Sequence, residues 1–174
     1  GKILTNVLEN NEIPEITTPY FNFFELDVLC QMGKLTEVLD KIRSYWGGML
    51  DLGAVTFWEE YDPSVLKEEQ YDMYGDHFGK SLCHAWAASP IYFLAKYFTG
   101  LDLVNKDGVT YILKPQMQYF TDLDCTLPVG SHGTVRLTWD GEYLEVIPDA
   151  DGGVLELGEQ KLSLVRGETR RVKL

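Results

Sequence analysis

The sequence contains few cysteines and few basic residues. Its three cysteines, Cys30, Cys83 and Cys125, are widely spaced and odd in number, so no disulfide framework is indicated, and we interpret them as small apolar side chains in a core. There are 15 Lys and Arg against 27 Asp and Glu, which gives a net charge of −12. Because such a surface repels phosphate backbones and anionic membranes, nucleic acid and membrane partners are not expected.

Long apolar runs and common cofactor motifs are also missing. No run approaches the roughly 20 residues of a membrane helix, and no signal peptide opens the chain. The phosphate loop, G-x-S-x-G and H-E-x-x-H patterns are absent, and the three histidines lack the spacing of metal ligands. We therefore predict no metal and no cofactor. The chain begins without Met, as a piece of a longer protein would, so the missing signal does not locate the parent protein.

The first part of the chain has a helical pattern. Thr17 or Thr18 before Pro19 suits a helix N-terminus, and the apolar stretch "YFNFFELDVLCQMG" ends at Gly33. "KLTEVLDKIRSYWGGML" repeats apolar residues with helical period, and its two glycines are predicted to stop it. "SPIYFLAKYFTG" is a third helix, which residues 81–88 extend upstream, and residues 2–9 are interpreted as the tail of a fourth.

The second part alternates apolar and polar residues with period two, which is typical of strands. Asp140-Gly141 predicts a hairpin in "GTVRLTWDGEYLEVIP", and residues 151–153 predict another turn. The sequence thus predicts an α+β chain, with helices in residues 1–102 and an antiparallel sandwich of about six strands in residues 103–174. The helices carry more apolar surface than they can bury, so we expect the isolated chain to self-associate or to pack on a missing part of a larger helical domain.

The stretch "FWEEYDPS" allows two interpretations of its adjacent carboxylates. In the first, Asp62 or Ser64 caps a following helix with Pro63 in its first turn, and the two glutamates are solvated. In the second, one glutamate faces a cleft as a hydrogen-bonding or base-type carboxylate, with Trp58 as a platform for a sugar ring. Consecutive side chains point in different directions, so Glu59 and Glu60 are expected to have different roles.

The stretch "SLCHAWAASP" places His84 and Trp86 among small residues. A histidine beside a tryptophan is commonly a satisfied core residue. Its neutral ring is also suited to bind a ligand hydroxyl or to orient Glu59. Both interpretations stay open on the spacing alone.

Three blocks in series resemble the C-terminal part of bacterial α-L-rhamnosidases of glycoside hydrolase family 78. They are "GAVTFWEEYDPS", "SLCHAWAASPIYFLAKYFTGL" and "LPVGSHGTVRLTWDG", which together with the segments between them span most of the chain. The resemblance implies that the chain comprises the last helices of an (α/α)6 catalytic barrel followed by a β-sandwich. It also implies an inverting hydrolase that removes terminal α-L-rhamnose, so the expected partner is a rhamnose-containing glycoside or polysaccharide.

The resemblance implies roles for individual residues. Glu59 stands where the family places its general base, directly after a tryptophan, and His84 stands where the family has a histidine of the rhamnose pocket. Trp58 and Trp86 are candidate pocket walls. Val55, Cys83 and Ala85 depart from the family's residues in these blocks, which concerns sugar specificity rather than the base.

The family's general acid lies in an upstream acidic block that this chain lacks. Inversion needs both carboxyl groups, so the 174-residue chain is expected to be inactive alone, with the activity in its parent. Two alternatives stay open: an (α/α)6 glycosidase for another sugar, and a non-catalytic carbohydrate-binding or scaffold protein of the same fold.

Overall fold

A computed structural model describes residues 10, 12, 16–104, 110–131 and 133–174 of the chain. It contains two compact units, residues 1–89 and residues 90–174. The predicted order of helices followed by mainly antiparallel sheets is confirmed. The helix expected over residues 2–9 lies outside the described residues, and the domain division predicted at residue 102 stays a prediction, as does the surrounding barrel.

The first helix, α1, spans Pro19–Gln31. Thr18 occupies the N-cap position with extended backbone, and the proline that follows needs no hydrogen bond in the first turn. After the helix, the backbone N–H of Gly33 donates to the carbonyl of Cys30 at 3.0 Å, and Gly33 has a φ of +73°. The predicted start and end of this helix are therefore confirmed.

Apolar side chains cover the outside of α1 as well as its inside. Leu26 is fully buried, whereas Phe21 is 58% exposed. The exposed apolar residues of this helix and its C-cap are Tyr20, Phe21, Phe24, Val28 and Met32. These residues form the exposed apolar surface that the sequence indicates, and the expected packing of this surface on other protein stays a prediction.

The second helical region is continuous through its glycines. It consists of α2 (Leu35–Lys41), a π-helical turn (Ile42–Trp46) and α3 (Gly47–Asp51). The prediction that Gly47 and Gly48 stop the helix is wrong, because the chain stays helical to Asp51 and turns at Gly53 with a φ of +93°.

Gly48 is small for a packing reason. A Cβ built at Gly48 would lie 2.4 Å from the hydroxyl oxygen of Tyr61, closer than real Cβ contacts. The backbone N–H of Tyr61 donates to the carbonyl of Thr17 and to the hydroxyl of Tyr45, both at 3.1 Å. Gly48 therefore lets the segment that follows Glu60 lie directly on the helix.

The expected helix after Asp62-Pro63-Ser64 is not formed, and only a short 3₁₀ turn, Lys67–Glu69, follows. Asp62 Oδ1 accepts hydrogen bonds from the backbone N–H of Ser64 at 2.8 Å and from its hydroxyl at 2.6 Å. The buried amide of Gln70 donates to the carbonyl of Asp62 at 2.6 Å. Because the Asp62 side chain closes a local turn, these residues form a compact loop instead of a helix cap.

The third predicted helix is confirmed as a 3₁₀ turn (Ala85–Ala88), α4 (Ser89–Phe93) and a π-helical turn (Leu94–Phe98), with Gly100 after it. Its expected extension upstream is wrong for residues 81–84, which are not helical and contain a bend at residues 82 and 83. No helix among the described residues has both the length and the apolarity to cross a bilayer.

The described strands number eight, compared with the six expected. They are β1 (Asp102–Leu103), β2 (Tyr111–Leu113), β3 (Leu123–Pro128), β4 (Thr134–Trp139), β5 (Tyr143–Pro148), β6 (Gly153–Leu157), β7 (Gln160–Leu164) and β8 (Arg170–Lys173). One sheet has the order β1-β2-β6-β7 and the other β3-β4-β5-β8. All neighbouring strands are antiparallel except β2 and β6, which are parallel.

The predicted hairpin at Asp140-Gly141 joins β4 and β5. Asp140 Oδ1 accepts from the backbone N–H groups of Glu142 at 2.9 Å and Tyr143 at 2.7 Å, which closes the turn. Both sheets contribute to one hydrophobic core. Its fully buried members are Tyr111, Leu113, Val129, Val135, Leu137, Leu144, Val146 and Leu155.

The cysteines occupy three different environments. Cys30 is buried, and Cys125 is half-buried, where burial raises the pKa of its thiol. Cys83 is exposed, so the interpretation of all three as core side chains is wrong for this residue. Cys83 lies in a bend of the chain rather than in a packed helix.

Candidate functional site

Two segments without regular secondary structure, residues 54–60 and 81–84, lie side by side. They bring together Glu59 and His84, the two main candidates from the sequence. The backbone N–H of Glu59 donates to the carbonyl of Ser81 at 2.9 Å, and that of His84 donates to the carbonyl of Phe57 at 2.8 Å. The hydroxyl of Thr56 donates to the carbonyl of Leu82. These bonds join residues about 25 apart in the sequence and fix Glu59 beside His84.

The carboxylate of Glu59 is buried and held at both oxygens. The residue is 6% exposed, in contrast to the solvated glutamate of the first interpretation. Oε1 accepts a hydrogen bond from the hydroxyl of Tyr74 at 2.7 Å, and Oε2 accepts one from the backbone N–H of Ser81 at 3.1 Å. Nδ1 of His84 lies 3.7 Å from Oε2, beyond direct hydrogen-bond distance.

These surroundings keep Glu59 ionised. The Tyr74 hydrogen bond is the main cause that lowers the pKa of Glu59 below its usual range. Burial opposes this effect, whereas the Ser81 N–H and the charges of His84 and Lys80 add to it. The same hydrogen bond raises the pKa of Tyr74, so its phenol stays protonated and continues to donate.

Lys80 is a buried cation close to this carboxylate. It is 8% exposed, and burial lowers the pKa of its amino group. The negative charges of Glu60, Asp62, Asp72 and Glu59 act in the opposite direction. Lys80 therefore offsets part of the negative charge that collects around the two adjacent glutamates.

Glu60 has a different environment from Glu59, as expected for consecutive residues. Its Oε1 accepts a hydrogen bond from the hydroxyl of Thr17 at 2.7 Å, and the residue is half-buried. The expectation that Glu60 is solvated is thus only partly correct. Its contact ties this segment to the start of α1.

The two tryptophans of the sequence analysis lie in opposite settings. Trp58 is 3% exposed, and its ring packs on that of Tyr71 with centroids 5.6 Å apart. Trp86 is 48% exposed, and its ring centroid lies 4.1 Å from that of His84 and 5.6 Å from that of Tyr20. Of the two, Trp86 offers an accessible aromatic face beside His84. The pocket roles assigned to both residues stay predictions.

Sequence reasoning missed Tyr74 and Lys80. Both belong to the loop of residues 61–80, between the segment that carries Glu59 and the one that carries His84. The signal for Tyr74 is the turn-forming pair Tyr74-Gly75, which returns the chain toward Glu59. Nothing in the spacing shows which side chain of such a turn reaches the carboxylate.

The Glu59 carboxylate keeps unused hydrogen-bonding capacity. Within the part of the chain that the structure describes, no group of three His, Cys, Asp or Glu side chains is placed to hold a metal ion. An ionised carboxylate accepts about four hydrogen bonds, and two protein donors hold Glu59. Each oxygen therefore keeps the capacity to accept a hydrogen bond from water.

Comparison with solved structures shows what the chain is similar to. No protein-family model and no curated protein matches the chain. The structure is similar to the crystal structure of a family 78 glycoside hydrolase rhamnosidase of Bacillus sp. GL1, with a TM-score of 0.64 and 25% sequence identity. The match covers 83% of this chain and 15% of that enzyme, so the chain spans a small part of the rhamnosidase's length. The resemblance that the three sequence blocks indicate is confirmed.

Proposed function

We propose that this chain supplies the general base of an inverting glycoside hydrolase that removes terminal α-L-rhamnose. Glu59 is the base, which takes a proton from the water that attacks the anomeric carbon. The observation that carries the proposal is a buried, ionised carboxylate at the position that the family assigns to its base. The likeness to a rhamnosidase supports a function of the glycoside hydrolase type.

The surroundings of Glu59 support this role. A general base must be ionised when substrate binds and must have a free lone pair within about 3 Å of its water. The pKa of Glu59 is lowered, so the carboxylate is charged at neutral pH. One protein donor holds each oxygen, which fixes the orientation of the group and leaves each oxygen a lone pair that can accept from water.

His84 and Trp86 provide the chemistry of a sugar pocket next to this base. The imidazole of His84 is about one quarter exposed, so it is accessible to a sugar hydroxyl. The ring of Trp86 presents an apolar face of the kind that packs against the C–H side of a sugar. We propose that both residues contact the rhamnose unit, with Trp58 supporting the base from behind.

The general acid is proposed to lie in a longer protein that carries this chain. The relative is several times longer than the match, and the resemblance places the acid in a block that this sequence does not contain. Acid–base assistance contributes about 10²–10⁴-fold to such reactions. We therefore expect no useful turnover of nitrophenyl α-L-rhamnoside by the 174 residues alone, and turnover by the longer protein.

The test compares two adjacent glutamates in the longer protein. Glu59→Gln should reduce kcat on the nitrophenyl rhamnoside by about 10²–10⁴-fold while binding of rhamnose is retained. Glu60→Gln is the matched control and should leave kcat within a few-fold of the parent. Normal turnover by Glu59→Gln would contradict the proposal, and rhamnose binding without turnover in the parent would favour a carbohydrate-binding protein.

A further inference from the structure

The loop of residues 61–80, which lies between the segments that carry Glu59 and His84, contains an unusual backbone conformation at Tyr74. The backbone groups of Met73 and Asp76 bond to each other in both directions, at 3.0 and 2.9 Å. Tyr74 and Gly75 between them have φ values of +55° and +81°. Positive φ at both central positions is the geometry of a type I′ turn, which a bulky residue such as tyrosine rarely adopts. Such conformations persist only where the surrounding structure holds them.

The ends of this loop are fixed to the rest of the site. A Cβ at Gly79 would lie 2.1 Å from the carbonyl oxygen of Met73, so the chain returns in direct contact with the turn. The backbone N–H of Lys80 donates to the carbonyl of Tyr71 at 3.2 Å. The ring of Tyr71 packs on Trp58, the neighbour of Glu59. The turn that carries Tyr74 therefore has a defined place relative to Glu59.

The Tyr74 side chain uses this placement to contact the carboxylate. Tyr74 is 79% exposed, yet its hydroxyl lies 2.7 Å from Oε1 of the buried Glu59. The other oxygen is held by a backbone N–H, that of Ser81. A hydrogen bond to a charged group contributes more to stability than one between neutral groups. Among the described residues, Tyr74 is the only side chain with a hydrogen bond to this carboxylate.

We propose that Tyr74 is a positioning residue for the base Glu59, fixing Oε1 so that its remaining lone pair faces the attacking water. This role rests on the proposed function of Glu59. The positioning role explains why the strained turn is present, because the turn places the Tyr74 hydroxyl against the carboxylate from an exposed loop. The charges of His84, whose Nδ1 lies 3.7 Å from Oε2, and of Lys80 also lower the pKa of Glu59, and the neighbouring Glu60 adds negative charge that acts on Lys80.

The positioning role predicts a change in the pH dependence of activity. The hydrogen bond from Tyr74 to Glu59 determines the direction of this change. Activity requires ionised Glu59, so kcat/KM falls on the acid side as the carboxylate is protonated. Tyr74→Phe removes the main cause that lowers the pKa of Glu59. The acid limb of the kcat/KM profile should therefore move to higher pH, because the variant loses the ionised base at a higher pH than the parent does.

The experiment is made in the longer protein that carries this chain, with nitrophenyl α-L-rhamnoside. Tyr74→Phe should lower kcat at neutral pH about tenfold, with KM within about twofold, the loss of one partly solvent-exposed bond to a charge. Tyr71→Phe removes a hydroxyl from the same loop and should change neither the limb nor kcat. Circular dichroism should show that both variants fold.

Three outcomes would overturn the role of Tyr74. They are an unmoved acid limb in Tyr74→Phe, a raised KM with unchanged kcat, and an equal effect of Tyr71→Phe. The first would show that the hydrogen bond does not set the ionisation of Glu59. The second indicates a substrate contact, and the third a general effect of loop packing. Glu59→Gln separates the two proposals: if it retains turnover, the base assignment fails, whereas its inactivity together with an unmoved limb in Tyr74→Phe defeats only the positioning role.

Discussion

Two adjacent glycines in one helix should respond in opposite ways to the same substitution. Gly47 and Gly48 both belong to α3, so alanine at either position gains about 0.5–1 kcal/mol of helix stability. At Gly47 a new Cβ meets nothing within 4 Å, so this gain is realised in full. At Gly48 the Cβ meets the Tyr61 hydroxyl at 2.4 Å and the ring carbon that bears it at 2.5 Å.

The Tyr61 ring packs on that of Tyr45 with centroids 5.5 Å apart, so a shift of the ring away from Gly48 disturbs this contact. The Tyr61 backbone N–H is held by Thr17 and Tyr45, and Tyr61 follows Glu60 directly. Overpacking of this kind costs about 1–3 kcal/mol. Both variants gain the same helix propensity from alanine. Gly48→Ala should therefore be less stable than Gly47→Ala by about 1–3 kcal/mol, the cost of the overpacking.

Urea unfolding of the two variants, followed by tryptophan fluorescence, measures this difference. The parent chain should lie between them or close to Gly48→Ala, with similar m-values for all three. Equal midpoints for Gly47→Ala and Gly48→Ala would refute the argument that Tyr61 requires a glycine beneath it. The predicted stop of the helix at these glycines is already excluded by the structure.

Two further predictions concern single groups. Cys83 is exposed while Cys30 is buried, so a thiol reagent should label Cys83 first, and Cys83→Ser should lose the fast phase; fast labelling in that variant would contradict the assignment. Burial raises the pKa of Tyr111 to about 12, above the value of about 10 in an unfolded chain. The contribution of Tyr111 to the free energy of unfolding should therefore be constant below about pH 10 and be lost as the pH rises toward 12, so Tyr111→Phe should reduce the fall in stability over this range in urea titrations; an unchanged fall would contradict it.

Local signals predicted the parts of the fold that depend on neighbouring residues. Thr18 before Pro19 and Gly33 after the apolar run define α1 because caps and glycine turns act within a few residues. The Asp140-Gly141 pair likewise predicts its hairpin. In these elements the residues that determine the structure lie next to one another in the chain.

The failures of prediction arise from long-range contacts. The sequence predicts that Gly48 stops the helix. The structure shows instead that a glycine is needed there because Tyr61, 13 positions later, packs directly on it. The helical pattern of residues 85–100 does not continue into residues 81–84, because Ser81 and His84 form backbone hydrogen bonds with the segment that carries Glu59. Tertiary contacts decide such positions, and propensity cannot reveal them.

The candidate site was predicted in part for the same reason. The sequence identified Glu59 and His84 through their blocks, and the structure places them side by side. It did not identify Tyr74, whose hydroxyl reaches the carboxylate only because its turn adopts a positive φ. The backbone N–H of Ser81 was also missed, because a backbone donor has no sequence signature.

Azide rescue is the sharpest test of the proposal that Glu59 activates water. In the longer protein, Glu59→Ala removes the base, and azide, which attacks without losing a proton, can enter from the face that water normally uses. If Glu59 is the base, azide should restore turnover of a nitrophenyl α-L-rhamnoside by Glu59→Ala. NMR should then identify the product as the β-L-rhamnosyl azide, which has the inverted configuration. Full activity of Glu59→Ala without azide, or a rescued product that retains the α configuration, would contradict it.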